Sequence, residues 1–370
     1  MQEREQLTLD DVEGALSVVD YDDREIWIQM GMAIKDEFGE DGFSVWDDWS
    51  SRSDKYNMKD ARSVWKSFNK SGFGIGSLIN EARNAGYEFK FGELSKEERL
   101  ARKKEAEARR KARAEAIERD ERELAAWHER VALAAQRLLD ERILDDSGVS
   151  QYLQTKKVMA YGIYFTPRAF LWITDIQNEQ IDLVTDRGEI SDFFDRKKND
   201  QIDIEQISFR YIKRDTIAIP MRDLDGNLHN FQFIFSSGKK TFPKFGRKQG
   251  LFHICEPPDG TPSEQRPSTD GPLIASDPSR IQFAEGYATS SSILQATKRP
   301  VVVTFDSGNM PTVAAAFRGV YPDSELIFCG DDDQENKKNA GRKKAEEAAK
   351  ITQGVAVFPD FSGIAEGAAV

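Results

Sequence analysis

The rhythm of apolar and polar positions divides the chain into stretches of different character. Trp27, Met30, Ile34 and Phe38 recur at helical spacing, as do Trp46 with Trp49 and Trp65 with Phe68. Such spacing lines up one face of successive helices, so a small helical domain is expected over residues 1–91. The tryptophans are read as its core rather than as base-stacking platforms. Gly72-Phe-Gly-Ile-Gly76 interrupts the pattern before another helix, from about Ser77 to Ala85. No strand precedes that glycine cluster and no Lys-Ser/Thr follows it, so it reads as a turn and not a phosphate loop.

Residues 93–145 are dominated by Glu, Arg, Lys and Ala and contain no Gly or Pro. Ser95 with Glu98 suits a capping box, and the charges fall at i,i+4 spacing, which predicts a long exposed helix over the linker 92–145. Leu124, Trp127, Val131, Leu138 and Leu139 suggest that its far end docks on a domain. In 146–275 a helical turn at Tyr152-Leu153 is followed by strand-like runs, Thr216-Ile-Ala-Ile-Pro-Met221 and Leu228-His-Asn-Phe-Gln-Phe-Ile-Phe235. Asp225-Gly226 between them is a hairpin signal, and a second turn is expected at Ser236-Ser-Gly238. Residues 256–270, rich in Pro and Gly, read as a loop.

From 276 the rhythm changes again. Four short apolar runs, at Ile281-Gln-Phe-Ala284, Val301-Val-Val-Thr-Phe305, Glu325-Leu-Ile-Phe-Cys329 and Val355-Ala-Val-Phe358, alternate with Ala-rich helical segments. Strands alternating with helices imply right-handed crossovers and a parallel sheet. All strands then point one way, and Glu285, Asp306, Asp331, Asp333 and Asp360 gather at the carboxyl edge, where open α/β sheets place their sites. Gathered carboxylates repel one another unless a cation sits among them. With few nitrogen or sulfur donors nearby, that cation is expected to be Mg²⁺ or Mn²⁺. The triple Asp alone would read as an acidic turn; Glu285-Gly286 at the matching end of another strand favours the metal.

Composition adds limits. The 370 residues are 39% hydrophobic and 31% charged, enough for several cores, and no run is long and apolar enough to span a bilayer. Two cysteines and three histidines exclude a conventional zinc ribbon, so no zinc is expected. The net charge of −12 argues, taken alone, against nucleic acid. Its distribution argues otherwise: residues 210–248 hold nine basic and three acidic residues, with Phe242, Phe245 and Phe252 interleaved or close by. Arg222, Lys239, Lys240, Lys244, Arg247 and Lys248 are the candidate nucleic-acid contacts.

Four motifs carry a resemblance. Glu285-Gly-Tyr-Ala-Thr-Ser290, Phe305-Asp-Ser-Gly-Asn309, Gly330-Asp-Asp-Asp333 and Asn339-Ala-Gly-Arg-Lys-Lys344-Ala345 stand in order on the expected elements. Together they resemble the Toprim-domain DNA primases of plasmids and phages. Met221-Arg-Asp-Leu-Asp-Gly226, Gln232-Phe-Ile234, Lys244 and Gly246-Arg-Lys248 match the module that precedes the Toprim fold in that family. Arg24-Glu25, Trp27, Gly31-Met-Ala-Ile-Lys35, Trp46, Trp49-Ser50, Trp65, Phe68 and Ile75-Gly-Ser-Leu78 resemble the helical domain called primase C-terminal 2.

The resemblance implies an α+β multidomain chain: helical domain 1–91, charged helix 92–145, mixed α/β basic module 146–275, and a Toprim α/β domain 276–370 with a parallel sheet. It implies a DNA-dependent RNA primase of a mobile element, working in the cytoplasm of a bacterial host with no membrane association. Single-stranded DNA template, ribonucleoside triphosphates and a separate replicative helicase would be its partners. Glu285, Asp331 and Asp333 would be catalytic, and Asp360 and Asp306 would complete the metal shell. Gly286, Gly341 and Lys344 would meet the nucleotide. A Toprim-type nuclease and a non-catalytic DNA-binding replication accessory are the competing readings.

Overall fold

The computed structural model describes residues 7–68, 73–89, 96–256, 274, 277–331 and 339–359. They fall into two compact units, Met1–Glu118 and Arg119–Val370.

In the first unit, α1 (Leu9–Leu16), α2 (Arg24–Phe38), α3 (Phe43–Ser50), α4 (Met58–Ser67) and α5 (Ile75–Asn84) surround an aromatic core. Thr8 and Asp11 form a capping box at α1, and the Asp23 carboxylate accepts from the backbone of Glu25 and Ile26 at α2. The expected helical face is there: Trp46, Trp49 and Trp65 are buried to within 1% and Met30 and Ile34 beside them. Glycine at position 31, inside α2, has a packing cause. A Cβ there would lie 2.4 Å from the Phe68 ring and 2.8 Å from Trp46. The Trp46 ring centre lies 4.5 Å from Trp27 and 5.4 Å from Trp65, and its Nε1 donates to the Trp27 carbonyl at 3.0 Å. Trp46→Ala should therefore cost about 3–5 kcal/mol, seen as an earlier thermal transition of this unit in the full chain. Lys55, Arg62 and Lys66 are exposed; Lys70 and residues 69–72 of the glycine turn lie outside the described residues.

One helix, α6 (Lys96–Asp140), accounts for most of the charged stretch and stops five residues short of the expected end at 145, while 92–95, with the Ser95 cap, lie outside the described residues. Its first part belongs to the first unit and its last part to the second. Val131, Ala134, Ala135 and Leu138 are buried against Phe170, Trp172, Phe231 and Phe233, which is the expected docking. Leu124 is 40% exposed and takes no part in it; the apolar face begins one turn later, at Trp127.

The second unit continues with α7 (Gln151–Lys156), β1 (Tyr164–Phe165), β2 (Phe170–Asp175), β3 (Gln180–Val184), α8 (Arg187–Lys198) and β4 (Ile207–Ile212). Then come β5 (Ile217–Arg222), β6 (Leu228–Ile234), β7 (Lys240–Thr241) and β8 (His253–Cys255). Both expected hairpins are present: β5 pairs β6 and β6 pairs β7, all antiparallel, with Gly226 and Gly238 at positive φ in the turns. A three-stranded sheet in the order β3-β2-β4, covered by α8, has no counterpart in the sequence expectations.

The last stretch folds as β9 (Arg280–Ala284), α9 (Tyr287–Thr297), β10 (Val301–Val303), α10 (Met310–Val320), β11 (Glu325–Cys329), α11 (Ala340–Thr352) and β12 (Val355–Val357). Its strands are parallel in the order β12-β11-β9-β10, as the alternation of strand and helix predicts, and β8 adds an antiparallel edge beside β10. Strand alternation divides the core. Phe283, Val302 and Phe328 pack under α10 and α11, while Ala284, Val301 and Val303 pack with α9 and with Ile217, Ile219 and Met221 of β5. Among the described residues no helix is long and apolar enough to cross a membrane.

Candidate nucleotidyl-transfer site

Parallel pairing sets the carboxyl ends of β9, β10 and β11 side by side. Ala284 is opposite Val303 and Cys329, so Glu285 leaves β9 between the turns that carry Asp306 and Asp331. Glu285 is half-buried. Burial pushes its carboxyl above the usual carboxylate range, the Asp331 charge pushes it further, the Lys240 ammonium opposes them, and Asp306 adds a smaller push. Asp306 and Asp331 thus stand near enough to Glu285 for their charges to act on it. Asp333 and Asp360 lie outside the described residues.

Lys240 comes from β7, in the other sheet, and reaches the same corner. A Cβ on Gly286 would lie 3.5 Å from its Nζ. Gly341, expected to bring backbone near a phosphate, meets Asp331 instead: a Cβ there would lie 2.6 Å from the Asp331 carbonyl oxygen. Its lack of a side chain lets the start of α11 approach the backbone of Asp331. Lys344, expected to meet a phosphate, is ion-paired with Glu347 at 2.7 Å.

The donors at this edge are all carboxylate oxygens, which suits Mg²⁺ or Mn²⁺ and not a soft metal. Among the described residues no three His, Cys, Asp or Glu side chains come close enough to hold an ion. A complete shell would draw on Asp333 or Asp360.

The basic loop lies in the same unit. Lys248 Nζ sits 4.3 Å from the centre of the Phe242 ring and Lys244 Nζ 4.9 Å from that of Phe245. Lys239 and Lys240 are exposed, whereas Arg222 donates to the Gly226 carbonyl at 2.8 Å and is partly committed to its own hairpin. The loop is braced from below. Trp127 of α6 stacks on Phe245 with ring centres 4.9 Å apart, and Asn230 Nδ2 donates to the Arg247 carbonyl at 3.0 Å. His128, next to Trp127, has its pKa pushed below the usual value by burial and then by the Arg247 charge. Sequence reasoning missed Trp127 and Asn230 as supports of this loop. Trp127 was visible only as an apolar helix position, and nothing local marks Asn230.

Residues 13–82 match the family Primase C terminal 2 (PriCT-2). Beyond it, 148 residues, 39% of the chain, are 36% identical to a DNA primase TraC of Escherichia coli and span 13% of that protein. A second Escherichia coli DNA primase TraC is 35% identical over 148 residues and is matched over 9% of its length. The chain therefore corresponds to a small part of the relatives it matches. A solved Escherichia coli primase catalytic core overlaps 63% of this chain and 67% of its own, at 16% identity and a TM-score of 0.33. Overlap at that level carries no weight for the fold. The PriCT-2 match and the TraC similarity agree with the resemblance read from the motifs.

Proposed function

We propose that the protein is a DNA primase that joins ribonucleotides on a single-stranded DNA template. The observation that carries this reading is the placing of Glu285, Asp306 and Asp331 at the ends of three adjacent parallel strands, faced by Lys240. The similarity to DNA primase TraC supports it. In this reading residues 276–370 form a Toprim catalytic domain, 146–275 a basic module that guides template and triphosphate, and 92–145 a helical linker. The 1–91 domain recruits template through Lys55, Lys59, Arg62, Lys66 and Lys70 or docks a separate helicase, and the protein works in the bacterial cytoplasm.

In the reaction a 3′-hydroxyl oxygen bonds to an α-phosphorus, the bond from that phosphorus to the bridging oxygen of the β-phosphate breaks, and pyrophosphate leaves. Bound divalent ions would stabilise the charge on the phosphoryl oxygens and leaving group; Glu285, Asp331, Asp333, Asp306 and Asp360 are the residues to hold them. Glu285, its carboxyl raised by burial, serves as a ligand or as the acceptor of the hydroxyl proton. Lys240 and the loop lysines neutralise phosphates.

The test is incubation of the full chain with single-stranded DNA, Mg²⁺ or Mn²⁺ and labelled ribonucleotides. Short labelled oligomers are expected. Shortened DNA would make the protein a nuclease, and binding with neither product would make it a replication accessory.

A further inference from the structure

Asn309 closes the Phe305-Asp-Ser-Gly-Asn309 motif, and the reaction above gives it no task. Its side chain is 4% exposed and has every polar atom engaged. Oδ1 accepts from the Gly250 N–H at 2.7 Å, while Nδ2 donates to the carbonyls of Leu251 at 2.8 Å and Thr304 at 2.9 Å. The Asn309 N–H donates to Asp306 Oδ1 at 2.9 Å. Thr304, wholly buried, donates from its own N–H to the Ala284 carbonyl at 3.0 Å.

Ala284 is the residue before Glu285. An unbroken buried path of hydrogen bonds therefore runs from the end of β9, through Thr304 and Asn309, to Gly250 and Leu251. Arg247 and Lys248 lie three and two residues before Gly250. Asn230 and Trp127 hold the loop from its other side. The turn leading to Asn309 also contains Phe305 at φ +69°, a conformation that bulky L residues rarely adopt.

We propose that Asn309 is a positioning residue that holds the basic loop at a set distance from the carboxylate edge, so that a nucleic-acid phosphate gripped by the loop is presented to Glu285 and Asp331. This rests on the nucleotidyl-transfer reading. The position needs one acceptor and two donors in a single planar group. An amide supplies them; a carboxylate would keep the acceptor for Gly250 but set an oxygen with no proton against both carbonyls, and a serine hydroxyl has one donor.

The experiment compares wild type, Asn309→Ala and the milder Asn309→Ser, all as full chains. Three quantities are read: kcat for primer synthesis, Kd for single-stranded DNA, and hydrogen exchange in peptides covering 242–252. Misplacement by about 1 Å can cost about 10²-fold in rate. Asn309→Ala is therefore expected to lose about 10²-fold in kcat while keeping Kd within about threefold, because the loop retains its charges. Exchange in the loop peptides should rise about tenfold, with Asn309→Ser intermediate in all three. If wild type makes oligomers and both variants keep kcat within about threefold, the positioning role is overturned and the primase reading stands. If DNA affinity and kcat are lost together with the folded fraction in Asn309→Ser as well, the residue is merely structural and the proposal also falls. A wild type that makes no oligomers sinks both.

Discussion

Asp331→Asn and Glu285→Gln are each expected to lower nucleotide incorporation by about 10²–10³-fold, with single-stranded DNA binding nearly unchanged. Both carboxylates stand at the strand ends with their charges acting on each other, whereas the loop cations are carried by other elements. Loss of synthesis with intact binding, followed by gel assay and fluorescence anisotropy, is the pattern to look for. Full activity in both variants would remove the metal assignment. The same charges make a second, independent readout. The carboxyl of Glu285 is pushed above its ordinary range, so its ionisation opposes folding when no cation is present. The stability it leaves intact is complete below the unfolded-state pKa and is lost as pH rises through the higher folded-state pKa. In chelator at neutral pH, Glu285→Gln should therefore melt at a higher temperature than wild type. The gap should close as pH falls to the ordinary carboxylate range. A gap that widens on acidification would contradict the coupling.

The second large effect is expected in DNA affinity. Replacing Lys244, Arg247 and Lys248 together by alanine removes three charges that the proposed template contact would use. Each contact contributes about 0.7 to the slope of log K against log salt for single strands, so the slope should flatten by about 2. The loop should keep its course, because Asn230 and Asn309 hold it by backbone groups of Arg247, Gly250 and Leu251 that the substitutions leave in place. A fluorescence titration over a range of salt concentrations measures this directly. An unchanged slope would move the phosphate contacts elsewhere, most plainly to Lys55, Arg62 and Lys66.

Much of the stretch from β9 to β12 was legible because its information is local. Each strand from β9 to β12 is a short apolar run with a sharp end, and the helices between them are rich in alanine. Parallel order then followed from connection rules alone, and with it the meeting of Glu285, Asp306 and Asp331. The β3-β2-β4 sheet was not legible for the opposite reason. β3 and β4 are half-exposed along most of their length and mix charged with apolar residues, and α8 between them is heavily charged, so neither a period of two nor one of 3.6 stands out. Lys240 stood among the basic residues, but its approach to Glu285 depends on β7 and β9 belonging to different sheets, which no spacing reveals. Asn309 was legible as part of a motif and not as a tether, since its partners at Gly250 and Leu251 are 59 and 58 residues away.

The antiparallel strand β8 has a consequence for inheritance. It ends at Cys255, yet it completes the sheet of the strands that begin at Arg280. A gene fragment beginning at 276 would encode β10 with its backbone donors and acceptors open along one side, a template for aggregation. It would also lack Gly250 and Leu251, which satisfy the Asn309 amide. Recombination between β8 and β9 would break a sheet and a buried polar path at once. The basic loop and the acidic edge are thus bound to travel as a pair, and exchange between relatives should fall outside this stretch.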